Sequence, residues 1–444
     1  MTALLRCLVG RRPPSLASRF SRTFPPFPPS VSRLLTSVPP ISSIQWYGWG
    51  TSPGANTLPT SSTPQSEKIT YDHPQPLVFA VPSSEKDSDS PPSIVPSSAI
   101  AEVSIGHDSV GFVTRPQTQT KNFCSAYIWG KGNAYGQLGL GIASDSPVSS
   151  PSPLLPPLPP GESVAKLRLG GLSSALISSS GDLYTWGWNG SAVSGMGQLG
   201  TGDGASRPSP APVSSLHEDG CVVTDCGLGK SHAVVLTDEG EVLAAGAGSY
   251  GRLGNLESED QLHFVPVDLL AGTPVAEIAV GNVFTLALAE DGTVHAWGQN
   301  DQSQLGLGGG FTMDMYSMEN LPRMIEGSLE GRRVIKIAAG YGHSACITEE
   351  GECFMWGMKR FLEPELLTVL LHTRCVDVKC GRGYTAVLDD QGVLYTFGEG
   401  KTGCLGHADT KRLSQPQPLE AFQGRKVVQM HVGMDQIICA VEDE

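Results

Sequence analysis

Charge is scarce in this chain: Asp, Glu, Lys and Arg make up 17% of its 444 residues, against roughly a quarter in an average soluble domain. Long apolar stretches are missing as well. No run approaches the roughly 18 residues that a membrane-crossing helix needs, which excludes a multi-pass helical membrane protein. Ten cysteines occur, yet none are spaced Cys-x-x-Cys and no histidine pair completes a zinc pattern, so no metal or other cofactor is expected. Cys221/Cys226 and Cys375/Cys380 are spaced too widely for a usual ligand pair. Cys346, Cys353 and Cys439 sit in apolar, strand-like runs and read as buried reduced thiols. No Gly-x-x-x-x-Gly-Lys-Ser/Thr string is present, so the chain is not a P-loop nucleotide binder.

Acid is missing from the first 66 residues. The first carboxylate is Glu67, and before it lie six arginines, many serines and no lysine. Leu4, Leu5, Leu8 and Val9 fall near one face of a short helix that Pro13 and Pro14 would end. An Arg-rich, Ser-rich, acid-free amphipathic start is the pattern of a mitochondrial presequence, with a plastid leader as the alternative. We therefore expect residues 1–44 to be a leader and localisation to be mitochondrial, in the matrix or associated with the inner membrane. The net charge of −14 includes this basic stretch, so the remainder is more acidic still. Phosphate attraction dominates nucleic-acid affinity, which makes direct nucleic-acid binding an unfavourable reading.

What the chain does have is glycine and proline, 53 and 34 of them. Such richness suits either disorder or a fold of many tight turns, and 39% hydrophobic residues are enough to build a core. Internal similarity decides between them. Gly181 to Gly187 (GDLYTWG), Gly292 to Gly298 (GTVHAWG) and Gly351 to Gly357 (GECFMWG) share one frame. Gly240 to Gly246 and Gly392 to Gly398 fit it with the Trp replaced, and Trp49-Gly50 and Trp129-Gly130 bring the copies to seven. A second frame, apolar-x-x-Gly-x-x-slot, places its glycine at 106, 170, 229, 281, 340, 381 and 433. Its slots hold Ser109, Ser173, His232, Phe284, His343, Tyr384 and Gln436. In the five middle copies the slot lies eight residues before the leading glycine of the first frame. That fixed spacing predicts a hairpin around a tight turn. A third element, as in Gly136-Gln-Leu-Gly139 or Ser303-Gln-Leu-Gly306, follows most Trp-Gly pairs. Each unit has the size of a propeller blade.

The combination of Gly-x-x-His, Trp-Gly and Gly-Gln-Leu-Gly resembles the repeat of the regulator of chromosome condensation family. It implies an all-β, seven-bladed β-propeller spanning residues 45–444, with strands from the two chain ends sharing one blade. No Trp-Asp dipeptide points to the WD-repeat alternative. The leader, and the lack of a Gly-Gln-Leu-Gly turn after Trp49, make the chain similar to the family's mitochondrial branch. Ser/Pro-rich insertions near 82–98 and 144–160 are expected to be disordered surface loops, and Gly308 to Asn320, with Met313, Met315 and Met318, is a third insertion.

Trp49, Trp129, Trp186, Trp297 and Trp356 hold one repeat position and are expected to pack the core. His232 and His343 look catalytic in isolation, but the same slot accepts Phe284, which favours structural histidines and a non-enzymatic protein. Some plant members of the family sense ultraviolet light with clustered tryptophans in a Gly-Trp-Arg-His-Thr string. This chain has GNVFT, GYGHS and GRGYT in that frame. In the nuclear exchange factor that names the family, acidic and His residues between the frame glycine and the slot face a small GTPase. The resemblance thus offers His107, Asp108 and Asp435, with Lys230 and Arg382, as a candidate partner-contact set. It implies a protein-binding scaffold in mitochondrial ribosome assembly or RNA processing. The alternative is a guanine-nucleotide exchange factor for an organellar GTPase.

Overall fold

The computed structural model describes residues 44–51, 70–81, 93–115, 125–131, 133–144, 146–308 and 318–442. Seven four-stranded antiparallel sheets follow one another around a closed ring, so the protein is an all-β, seven-bladed β-propeller. Blade I comprises Ile100–Ile105, Ser109–Thr114, Ala126–Gly130 and Val148–Pro153. Blades II to VI begin at Val164, Val223, Val275, Val334 and Cys375. Blade VII combines Val427–Val432 and Gln436–Glu442 with Ile44–Thr51 and Thr70–Pro76. Its two chain ends pair antiparallel from Ile44 opposite Glu442 to Gly50 opposite Gln436, which fastens the ring.

The repeat frames explain each hairpin. The second and third strands of a blade are almost wholly buried, and the turn between them needs a left-handed residue. Gly240 and Gly292 supply it, with φ of 78° and 91°. First strands contact each other from blade to blade and form the innermost ring. The outermost strand of every blade contains proline, for example Pro208, Pro210 and Pro212 in blade II or Pro364 in blade V. A strand with one edge unpaired tolerates a residue that cannot donate, and the missing N–H discourages edge-to-edge association.

Two stretches expected to be disordered therefore contain strands. Val148–Pro153, within 144–160, is the outer strand of blade I and runs into the buried Leu154. Within 82–98, Ser93–Val95 pairs with Phe79–Val81 and continues into a short 3-10 turn at Ser97–Ala99. Burial is the reason: Phe79, Val81, Val95 and Ala99 pack with Trp46, Phe112 and Trp129. Residues 82–92, the leader up to residue 43, and Met313 and Met315 lie outside the described residues. Met318 opens the outer strand of blade IV.

Blades meet along seams with a repeated construction. At one end of each seam, the residue three before the Trp position packs with the first residue of the next blade. These pairs are Trp46/Ile100, Ala126/Val164, Leu183/Val223, Val242/Val275, Val294/Val334 and Leu394/Val427. At the seam between blades V and VI the pair is Cys353/Cys375.

Candidate protein-interaction face

In each blade the innermost strand ends at the frame glycine, two residues form a tip, and the slot residue starts the strand that returns. The glycine is obligatory because the slot side chain folds over it. A Cβ on Gly229 would lie 2.2 Å from His232, and one on Gly381 would lie 2.1 Å from Tyr384. Tips are linked around the ring by backbone bonds. Lys230 N–H donates to the Asn282 carbonyl (2.7 Å), Asn282 to Gly340 (3.2 Å), Tyr341 to Gly381 (3.2 Å) and Arg382 to Met434 (2.9 Å). The loops after the Trp-Gly pairs reach the same face, since Lys131 N–H donates to Asp108 O and Trp188 N–H to Leu172 O.

The recurrent slot residues are consumed inside. His232 and His343 are both fully buried. Their Nε2 atoms lie 3.3 and 3.0 Å from the hydroxyls of Thr285 and Thr385 in the next blade. Burial pushes the His232 imidazole down to about 3, with Arg252 adding to this, and that of His343 down to about 4. Both are neutral at pH 7, and the threonine hydroxyl that each meets is itself buried, out of reach of a substrate. The Tyr384 hydroxyl bridges blades VI and VII, 2.8 and 2.9 Å from the Gly433 and Gln436 carbonyl oxygens.

The Trp residues are consumed too. The indole N–H of Trp186 donates to Gln137 O (2.9 Å), Trp297 to Arg252 O (3.1 Å), Trp356 to Gln304 O (2.8 Å) and Trp49 to Cys404 O (2.9 Å). Each acceptor lies in the Gly-x-Leu-Gly turn of the preceding blade, or in its Ser303-Gln-Leu-Gly306 variant, so the turn is a socket for the next blade's indole. Trp129 follows blade VII, where the described residues hold no such turn, and the extra hairpin packs there instead: Phe79 meets Trp129 edge-on at 6.1 Å.

The candidate contact residues divide. His107 and Asp108 are exposed, with Nδ1 3.9 Å from Oδ2, and Lys230 is exposed on the blade III tip. Arg382 instead grips Asp435 with two donors, Nε 3.2 Å from Oδ1 and Nη2 on Oδ2. Asp435 is only 8% exposed. The two carboxylates sit on neighbouring tips, but only Asp108 is available to a partner. Residues overlooked in the sequence share this face. Tyr135 and Tyr341 are exposed, Trp188 stacks at a tilt 5.9 Å from Tyr135, and Val193 caps the longer blade II hairpin at 98% exposure. Trp188 could have been found as the Trp that follows a Trp-Gly pair without belonging to the frame.

Inside the ring, a second charged set lies two or four residues before the frame glycines. Arg168 is held between Glu102 (2.6 Å) and Asp225 (2.9 Å), and Lys336 reaches Glu277 (3.5 Å). Burial alone would raise Asp225, but Arg168 and Lys166 hold its carboxyl below the usual range. Burial raises Glu277 despite Lys336. These carboxylates are matched by bases, which leaves the interior ion-paired rather than open to a charged ligand. Among the described residues, no three His, Cys, Asp or Glu side chains are grouped to hold a metal, and no helix is long and apolar enough to cross a membrane.

Residues 125–444 match the RCC1-like domain. The chain is 35% identical over 259 residues to the ultraviolet-B receptor UVR8 of Arabidopsis thaliana, covering 56% of this chain and 57% of that protein. It is 32% identical over 286 residues to the secretion-regulating guanine nucleotide exchange factor of Bos taurus, covering 60% and 59%. With the mitochondrial RCC1 domain-containing protein RUG3 of Arabidopsis thaliana it shares 29% identity over 340 residues, 71% and 72% of the two chains. The chain thus spans little more than half of the first two proteins' length. In structure it is similar to human WBSCR16, with TM-score 0.71 and 21% identity, covering 90% of this chain and 99% of that one. The chain belongs to the RCC1-like domain family.

Proposed function

We propose that the protein is a non-catalytic mitochondrial propeller whose tip face binds protein partners in ribosome assembly or RNA processing. The observation that carries this reading is the division of labour across the tips. Every recurrent His, Tyr and Trp of the frames is spent on locking blades together, while the side chains left exposed differ from blade to blade. His107, Asp108, Lys230, Tyr135, Tyr341 and Val193 make a mixed polar and aromatic surface of the kind that protein interfaces use. Neutral histidines buried together with their threonine partners, away from any substrate, give no basis for hydrolysis or group transfer. The acid-free leader and the likeness to a mitochondrial relative support the compartment.

Nucleotide exchange on an organellar GTPase is the second reading, favoured by the likeness to a guanine nucleotide exchange factor and by the exposed Asp108. Exchange requires only that a wedge displace phosphate and Mg²⁺ contacts, so it leaves no catalytic signature. Asp435 is a poor wedge because Arg382 already occupies it. Affinity purification from mitochondria, with partners identified by mass spectrometry, separates the two. Ribosomal or RNA-modifying proteins without a GTPase support the scaffold; a GTPase alone, with accelerated nucleotide release that Asp108→Ala abolishes, contradicts it.

A further inference from the structure

The seam between blades V and VI departs from the others at both ends. On the tip side there is no Gly-x-Leu-Gly socket, because Gly357 leads through Met358 and Lys359 directly into the outer strand Phe361–Leu366. The next blade accordingly carries Phe397 where five of the others carry Trp and blade III carries Ala245, and among the described residues no indole-to-carbonyl bond crosses this seam. On the opposite side, both members of the packing pair are cysteine, where the neighbouring seams use Val294/Val334 and Leu394/Val427.

Two cysteines replacing both halves of one aliphatic contact is a paired change. Either alone would pack as a small hydrophobe; together they face each other. The backbone holds them in register, with Cys375 N–H donating to Gly351 O at 3.0 Å, two residues before Cys353. Both thiols are free and 1% exposed. Cys375 Sγ donates to Thr373 O at 3.8 Å. The interaction between the two sulfurs, with burial, drives the Cys353 thiol well above its ordinary value, while the same interaction lowers that of Cys375. Cys380, in the same blade, is pushed up to about 12 by burial and is the poorer nucleophile.

We propose that Cys353 and Cys375 are an oxidative cross-linking site, forming a reversible disulfide that staples the seam which, among the described residues, lacks both the indole and its socket. With a peroxide as oxidant, the Cys375 thiolate attacks one peroxide oxygen. The O–O bond breaks, Cys375 becomes a sulfenic acid, and the leaving hydroxide takes up the thiol proton as water. The Cys353 sulfur then attacks the sulfenic sulfur; the S–S bond forms, the S–O bond breaks and a second water leaves. Each thiol loses its hydrogen and the peroxide is reduced to two waters. Burial makes the first step wait on opening of the seam, so the reaction is slow compared with that of an exposed thiol.

The test uses the full chain with hydrogen peroxide, mapped by non-reducing peptide mass spectrometry. A peptide pair joined through Cys353 and Cys375, lighter by two hydrogens, is expected, with a rise in melting temperature of about 3 °C that dithiothreitol reverses. Cys353→Val/Cys375→Val restores the aliphatic pair of the other seams, so it is expected to fold, to show no joined peptide and to gain no thermal stability from peroxide. Recovery of both cysteines as unlinked peptides after exhaustive oxidation would overturn the proposal. So would preferential linkage to Cys346 or Cys380, or the same thermal gain in the double variant.

Discussion

Two adjacent seams show how one repeat is built in two ways. Between blades IV and V, the Ser303–Gly306 turn receives Trp356, whose indole bonds Gln304 O, while Ser344 Oγ donates to the same carbonyl at 2.7 Å. Between blades V and VI the turn is absent, the indole is a phenyl ring, and contact passes to Phe361, Leu413 and a thiol pair. Both seams keep the inner stitch, His343 to Thr385 in one and the Asn282-to-Gly340 backbone bond in the other. The difference teaches that inner-ring stitches define the propeller, whereas the outer socket is an added lock that individual seams can lose.

The largest test of that contrast is Trp356→Ala, which empties a fully buried site and removes an indole bond. A loss of about 4 kcal/mol in urea unfolding is expected. Trp356→Phe, which turns the IV–V seam into the V–VI kind, should cost roughly 1–2 kcal/mol. A cost near that of alanine would mean that the socket is no optional lock. Gly306→Ala sharpens the point from the other side. Its φ is +68° and an added Cβ would lie 2.7 Å from the Trp356 ring, so roughly 1–3 kcal/mol should be lost.

Acid should act on the inner stitches. His232 and His343 have folded values depressed to about 3 and 4, below the unfolded value of about 6.5. Between these limits the unfolded chain binds more protons, so stability is lost as pH falls from about 6.5 towards the folded values. A slope of roughly 1 kcal/mol per pH unit per histidine is expected in unfolding measured from pH 7 to 5. His232→Phe, the residue blade IV itself uses, should flatten one histidine's share of that slope; an unchanged slope would show that the ring is protonated when folded.

Much of this architecture is legible in the sequence, and the exceptions have physical causes. Glycines at fixed offsets expose the hairpins because their φ values and close approaches admit nothing else, and the Trp positions expose the seams. Outer strands were hidden because an edge strand tolerates Pro and Ser, so Val148–Pro153 and Ser93–Val95 look like loops. The partner site was only half visible. Asp435 shares the repeat position of Asp108, but its burial depends on Arg382, 53 residues earlier, and no repeat pattern carries that pairing. The interior charges, such as Glu102 and Asp225, do recur in register, but the irregular pairing beside them breaks simple strand alternation.

The central claim is that the tip face, with its blade-specific side chains, is where partners bind. The direct measurement compares the full chain with an Asp108→Arg/Lys230→Glu variant in quantitative affinity purification from mitochondria, both shown to share one melting temperature. The account predicts that the variant loses most of the proteins that the native chain enriches. Recovery of the same partners at the same levels would place binding elsewhere on the propeller.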